Sequence, residues 1–65
     1  MAIGHHIKQL REDSGLSQEN LALMVNVERA YLAKIEAGKR NPTVDCLEKI
    51  VNGLGLNLPE FFSRL

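Results

Sequence analysis

Four of the chain's eight cationic side chains, Arg29, Lys34, Lys39 and Arg40, fall between positions 29 and 40, although the formal net charge of the whole chain is zero. Guanidinium and ammonium groups gathered this way can hold phosphate oxygens, and an arginine fork can also meet two acceptors at once. Zero net charge excludes a uniformly polycationic binder, so any polyanion must be met by this local patch. A pure protein-interaction domain has no reason to gather half its cations there. The other chemically able residues point nowhere comparable. His5 and His6 are adjacent and so face different sides of a helix start, with no further His or thiol at ligand spacing, which argues against a metal. Cys46 is the only thiol; it forms no internal bridge and has no neighbouring base to activate it, and it reads as a small core or interface residue. No nucleophile has a base partner and no glycine-rich phosphate cradle occurs, so the sequence calls for no enzyme activity, cofactor or small-molecule ligand.

Sixty-five residues have room for one folded unit, and the expectation is a single domain over residues 1–65 with no separate effector domain. With 45% hydrophobic and 25% charged residues the composition is that of an ordinary globule. A core this small rarely supplies more than about 3 to 5 kcal/mol, which favours regular helix packing, a partner subunit, or both. The N-terminal residues lack a charged stretch followed by an apolar one, and the longest apolar run is Leu21 to Val25. No export signal or membrane span is expected, and a lone cysteine suits a reducing cytoplasm.

The elements that must carry the cations read as helices. Ile3, Ile7 and Leu10 recur at helical spacing before Ser14-Gly15 ends the run. Ser17 is placed to cap a second helix whose Leu21, Ala22 and Val25 face inward, and Asn26, tolerant of the left-handed conformation, ends it in a tight turn. A third helix over residues 28–37 puts Tyr31, Leu32 and Ile35 on one arc. Arg29, Ala30, Ala33, Lys34 and Ala37 lie on the other, a face of two long cations among small residues. Gly38 stops it, and Lys39-Arg40-Asn41-Pro42 forms a basic loop. Thr43 caps a fourth helix with Val44, Leu47, Ile50, Val51 and Leu54 as its apolar stripe. Asn57 and Glu60 offer a capping box for a fifth helix carrying Leu58, Phe61, Phe62 and Leu65. No stretch alternates as a strand would. The fold class is therefore all-α, a compact bundle of five short helices.

Two short helices joined by a tight turn inside such a unit make a helix-turn-helix, which lays its second helix in the DNA major groove. At Gly15-Leu16-Ser17-Gln18-Glu19-Asn20-Leu21-Ala22, at Val27, at Tyr31 to Pro42 and at Leu58-Pro59-Glu60-Phe61-Phe62, the chain resembles the Cro and phage-repressor (XRE-like) helix-turn-helix regulators. The resemblance covers essentially the whole chain. It implies a lambda-repressor-like domain that binds a palindromic operator in double-stranded DNA as a homodimer and controls transcription as a repressor or controller. By the same resemblance Glu28, Arg29, Ala30 and Lys34 read base edges, Arg29 foremost because its fork matches both major-groove acceptors of guanine. Gln18, Tyr31, Lys39, Arg40 and Asn41 hold the DNA backbone, Gln18 also bracing the recognition helix. Arg11 and Glu36 form a structural ion pair between the first and third helices.

Three positions depart from the family's pattern. Glu28 stands where Ser or Thr usually caps the recognition helix; it reads first as a cap and second as a specificity element accepting from a cytosine amino group. Asn26 replaces the usual turn glycine. Leu23 and Met24 replace polar residues, and are expected to cover extra core rather than form an exposed contact surface. The C-terminal Leu56, Leu58, Phe61, Phe62 and Leu65, more apolar area than a short last helix can bury, are expected to supply the dimer interface. The alternative to a DNA-binding regulator is a protein-interaction module such as the antitoxin of a toxin pair. Contact of Leu23 and Met24 with RNA polymerase or a toxin is compatible with both readings.

Overall fold

Side-chain caps start α2, α4 and α5, and a turn at Asn26 ends α2. The structure, a computed structural model, describes residues 2–65; position 1, part of the N-terminal reading above, lies outside them. Among the described residues are five α-helices and no strand: α1 (Ala2–Asp13), α2 (Gln18–Val25), α3 (Arg29–Glu36), α4 (Val44–Gly53) and α5 (Leu58–Ser63). The third helix is one residue shorter at each end than the periodicity predicts. Ser17 Oγ accepts the Asn20 N–H at 3.0 Å and Thr43 Oγ1 the Cys46 N–H at 3.1 Å, so α2 and α4 each start on a side-chain cap. At α5 the capping box is reciprocal: Asn57 Oδ1 accepts from Glu60 N–H at 2.8 Å and Glu60 Oε1 from Asn57 N–H at 3.0 Å.

Asn26, at φ 56° and ψ 48°, is the one described non-glycine residue with positive φ. Its left-handed backbone lets its own N–H reach the Ala22 and Leu23 carbonyls, while the Val27 N–H returns to Ala22 O at 2.9 Å. The chain thereby leaves α2 and enters α3 with only Asn26, Val27 and Glu28 between them.

The core is built from all five helices: Ile7, Leu21, Ala22, Val25, Leu32, Ile35, Leu47, Ile50, Val51 and Phe61 are buried. Helix α3 packs on both α1 and α2, α4 packs on α2, and α5 closes over α4. Gly4 makes the first of these contacts possible. A Cβ at that position would run into the Ile35 carbonyl, so only glycine lets α1 rest this closely on the end of α3.

Four expectations about apolar residues are corrected. Leu23 is 74% exposed and Met24 58% exposed, so they do not cover core. From Leu21 at about 100° per residue, Leu23 lies roughly opposite the buried arc and Met24 on its rim. Val44 falls on the α4 stripe by angle but is exposed, because it is the first residue of α4 and a helical side chain leans toward the turn before it, off the end of the core. Phe61 is wholly buried, packed tilted against the His6 ring at 4.7 Å between centroids, and cannot serve an intermolecular interface. Leu56 and Leu58 are half-buried against the same core, leaving Phe62 and Leu65 as the exposed large apolar side chains of the C-terminal end.

Candidate nucleic-acid interface

Helix α3 is held by its inner face and free on its outer one. Leu32, Ile35 and Glu36 are buried, whereas Arg29, Ala30 and Lys34 are exposed and Ala33 is half-buried between them. The result is a ridge of small side chains carrying one guanidinium and one ammonium. An α-helix with its side chains is about 10–12 Å across, and a B-DNA major groove is about 12 Å wide. A ridge of small side chains suits that width, with Arg29 on the first residue of the helix.

The orientation of α3 is fixed by a buried carboxylate. Arg11 Nε donates to Glu36 Oε2 at 2.9 Å and Arg11 Nη2 to Glu36 Oε1 at 3.0 Å, a two-pronged pair between α1 and α3. Arg11 Nη1 donates to the Leu16 carbonyl at 2.7 Å. Gln18 Nε2, from the first residue of α2, donates to Glu36 Oε1 at 3.1 Å. Glu36 therefore draws α1, α2 and α3 together at one point. The hydrogen bond to Glu36 raises the Arg11 pKa above its ordinary value, outweighing the desolvation that lowers it. One N–H of the Gln18 amide is spent on Glu36, leaving the other as a donor. Bracing of α3 by Gln18 was an expectation of the family resemblance, but the Leu16 carbonyl and the choice of Glu36 as the Gln18 partner had no sequence signal beyond the helix order, because both depend on where two interhelical turns bring the chain back.

Beyond α3 the backbone turns through Gly38 at φ 76°. The Gly38 N–H bonds Ile35 O at 3.0 Å and the Lys39 N–H bonds Lys34 O at 2.9 Å, which fastens the loop to the helix end. Lys39, Arg40 and Asn41 are exposed on it. The Arg40 guanidinium lies over the half-buried Tyr31 ring, 5.2 Å from its centroid. On the far side Tyr31 lies near α4: burial pushes the Cys46 thiol pKa up, and the nearby Tyr31 side chain and the Lys49 charge oppose that rise.

The structure brings Arg29, Ala30, Lys34 and the basic loop to one rim and leaves Glu28 at its leading edge. The capping role expected of Glu28 is corrected. The residue has the extended backbone of a cap position, φ −63° and ψ 135°, but its side chain makes no capping hydrogen bond. Glu has a longer side chain than the Asp, Asn or Ser that cap well, and its carboxylate is exposed to solvent. No group of three His, Cys, Asp or Glu converges among the described residues, and none of their helices is long and apolar enough to cross a membrane.

This arrangement defines a class. The chain belongs to the helix-turn-helix family of DNA-binding regulators, which it matches over residues 7–61. It is similar to the control protein C.MunI of a Mycoplasma species, with 48% identity over 63 residues, 95% of this chain and 85% of that protein. It also resembles the immunity repressor of Bacillus phage phi105, with 38% identity over 58 residues, 89% of this chain but only 40% of the repressor. Among solved structures it superimposes on the restriction-modification controller C.Esp1396I, in a tetramer bound to its natural 35 base-pair operator, with a TM-score of 0.88 and 37% identity. That match covers 95% of this chain and 82% of the controller.

Proposed function

We propose that the chain is a sequence-specific transcription regulator of the controller or repressor kind, which binds a palindromic operator as a homodimer through the major groove. The observation that carries the reading is the concentration of exposed cations on α3 and the following loop in a chain without net charge. Arg29 reads a guanine by its fork; Ala30 and Lys34 complete the base-facing ridge, and the free carboxylate of Glu28 suits a cytosine amino group. Lys39, Arg40 and Asn41, with Tyr31 and the spare Gln18 N–H, take phosphates on either side of the groove. Exposed Phe62 and Leu65 supply the apolar centre of the two-fold contact. A regulator of this kind works in the cytoplasm, on the nucleoid.

One observation favours a further partner. Leu23 and Met24 stand exposed on α2, beside the groove-entering helix, and suit contact with RNA polymerase or, in the interaction-module reading, with a toxin. Selection from a random duplex DNA pool near physiological salt separates the readings. Enrichment of an inverted repeat with guanine at a fixed half-site position is the expected result. No enrichment would move the assignment to the interaction module.

A further inference from the structure

Tyr31 is the point where α3, the basic loop and α4 meet, and its ring and its hydroxyl offer two separable duties. The hydroxyl is a polar group that a phosphate can meet directly. The ring is a face, and the Arg40 guanidinium lies over it at 5.2 Å from the centroid, within the range at which the ring quadrupole attracts a cation. Arg40 stands two residues beyond the positive-φ turn at Gly38, on an exposed loop, and makes no ion pair with a carboxylate among the described residues. An unpartnered arginine there would sample many rotamers and would lose that freedom on meeting a phosphate.

We propose that Tyr31 is a positioning residue: its ring holds the Arg40 guanidinium at the rim of α3 before DNA arrives, so that Arg40 meets a backbone phosphate already oriented. The proposal rests on the DNA-binding reading above and assigns Tyr31 a part that acts through Arg40, distinct from any contact of its own hydroxyl. The ring itself is kept in place by its half-buried packing against the core. The loop is kept near it by the backbone bonds that Gly38 and Lys39 make to the end of α3.

The test compares Tyr31→Phe with Tyr31→Leu, which both lack the hydroxyl and differ in the aromatic face, with and without Arg40→Ala, on one selected duplex. With Arg40 present the phenylalanine variant should bind about two- to fivefold tighter than the leucine variant, the range expected for an exposed cation over a ring. In the Arg40→Ala background the two should bind alike. The same ratio in both backgrounds overturns the proposal. A wild-type protein that binds no duplex selectively overturns instead the reading beneath it. Tyr31 is the only tyrosine in a chain without tryptophan, so the near-ultraviolet circular dichroism of the free protein adds a readout that needs neither DNA nor the leucine variant. Arg40→Ala should alter the tyrosine band, and an unaltered band contradicts the proposal even if Tyr31→Leu fails to fold.

Discussion

Glu36 accepts three N–H groups, two from Arg11 and one from Gln18, while almost wholly buried. Removing one side of a buried pair strands the other charge, at a cost of about 3 to 5 kcal/mol. Since a core of this size supplies about the same amount, Glu36→Ala should leave the chain largely unfolded at room temperature, as read by far-ultraviolet circular dichroism. Retention of a cooperative transition near the wild-type midpoint would show that the carboxylate does not organise α1, α2 and α3. Lys39 belongs to the opposite regime. It is exposed and reads no base in this account, so Lys39→Ala should weaken binding to every duplex alike and reduce the salt slope by about one. A loss confined to one sequence would move Lys39 among the base-reading residues.

At the scale of elements, two positions hold the helices in their mutual orientation by backbone geometry alone. Gly4→Ala drives a methyl group into the Ile35 carbonyl and should cost about 1 to 3 kcal/mol, visible as a lowered denaturation midpoint. Asn26→Val places a branched side chain at φ 56° and should cost upwards of about 1 kcal/mol, whereas Asn26→Gly should be close to neutral. Equal stability of the valine and glycine variants would contradict the turn geometry. Helix boundaries were legible because caps are local: Ser17, Thr43, Asn57 with Glu60, and the turn at Asn26 each act within three or four residues of themselves. What lay outside that range was less legible. The angle of Leu23 already set it apart from Leu21 and Val25, but its apolar type suggested core. Val44 had the right angle at the wrong end of α4. Glu28 has a cap's backbone but, with a side chain one methylene longer than that of Asp, makes no capping hydrogen bond. The placement of Arg40 over Tyr31 depends on the path of a loop between two helices, which no periodicity encodes.

The whole molecule has to present two copies of α3 to one duplex. Of the C-terminal apolar residues, Phe61 is spent on the core, and Phe62 lies T-shaped against it at 5.3 Å and is itself exposed. Sequence pattern gives no way to divide two adjacent phenylalanines between core and surface until the direction of α5 relative to α4 is known. Phe62→Ser should therefore lower dimer affinity in sedimentation while leaving the monomer's helical content unchanged. An unchanged association constant would place the two-fold contact elsewhere on the surface. The exposed ridge on α3 is also a whole-molecule property: it exists because the inner face of that helix is gripped by α1, α2 and the Glu36 contacts, leaving Arg29, Ala30 and Lys34 exposed to a ligand.

The most direct test of the account is the affinity of wild type and Arg29→Ala for a selected inverted repeat and for a scrambled duplex of the same length and composition, at one salt concentration. Arg29→Ala should lose about 1 to 3 kcal/mol on the inverted repeat and far less on the scrambled duplex, with discrimination relaxed at one half-site position. Equal losses on both duplexes would contradict the claim that α3 reads sequence through Arg29.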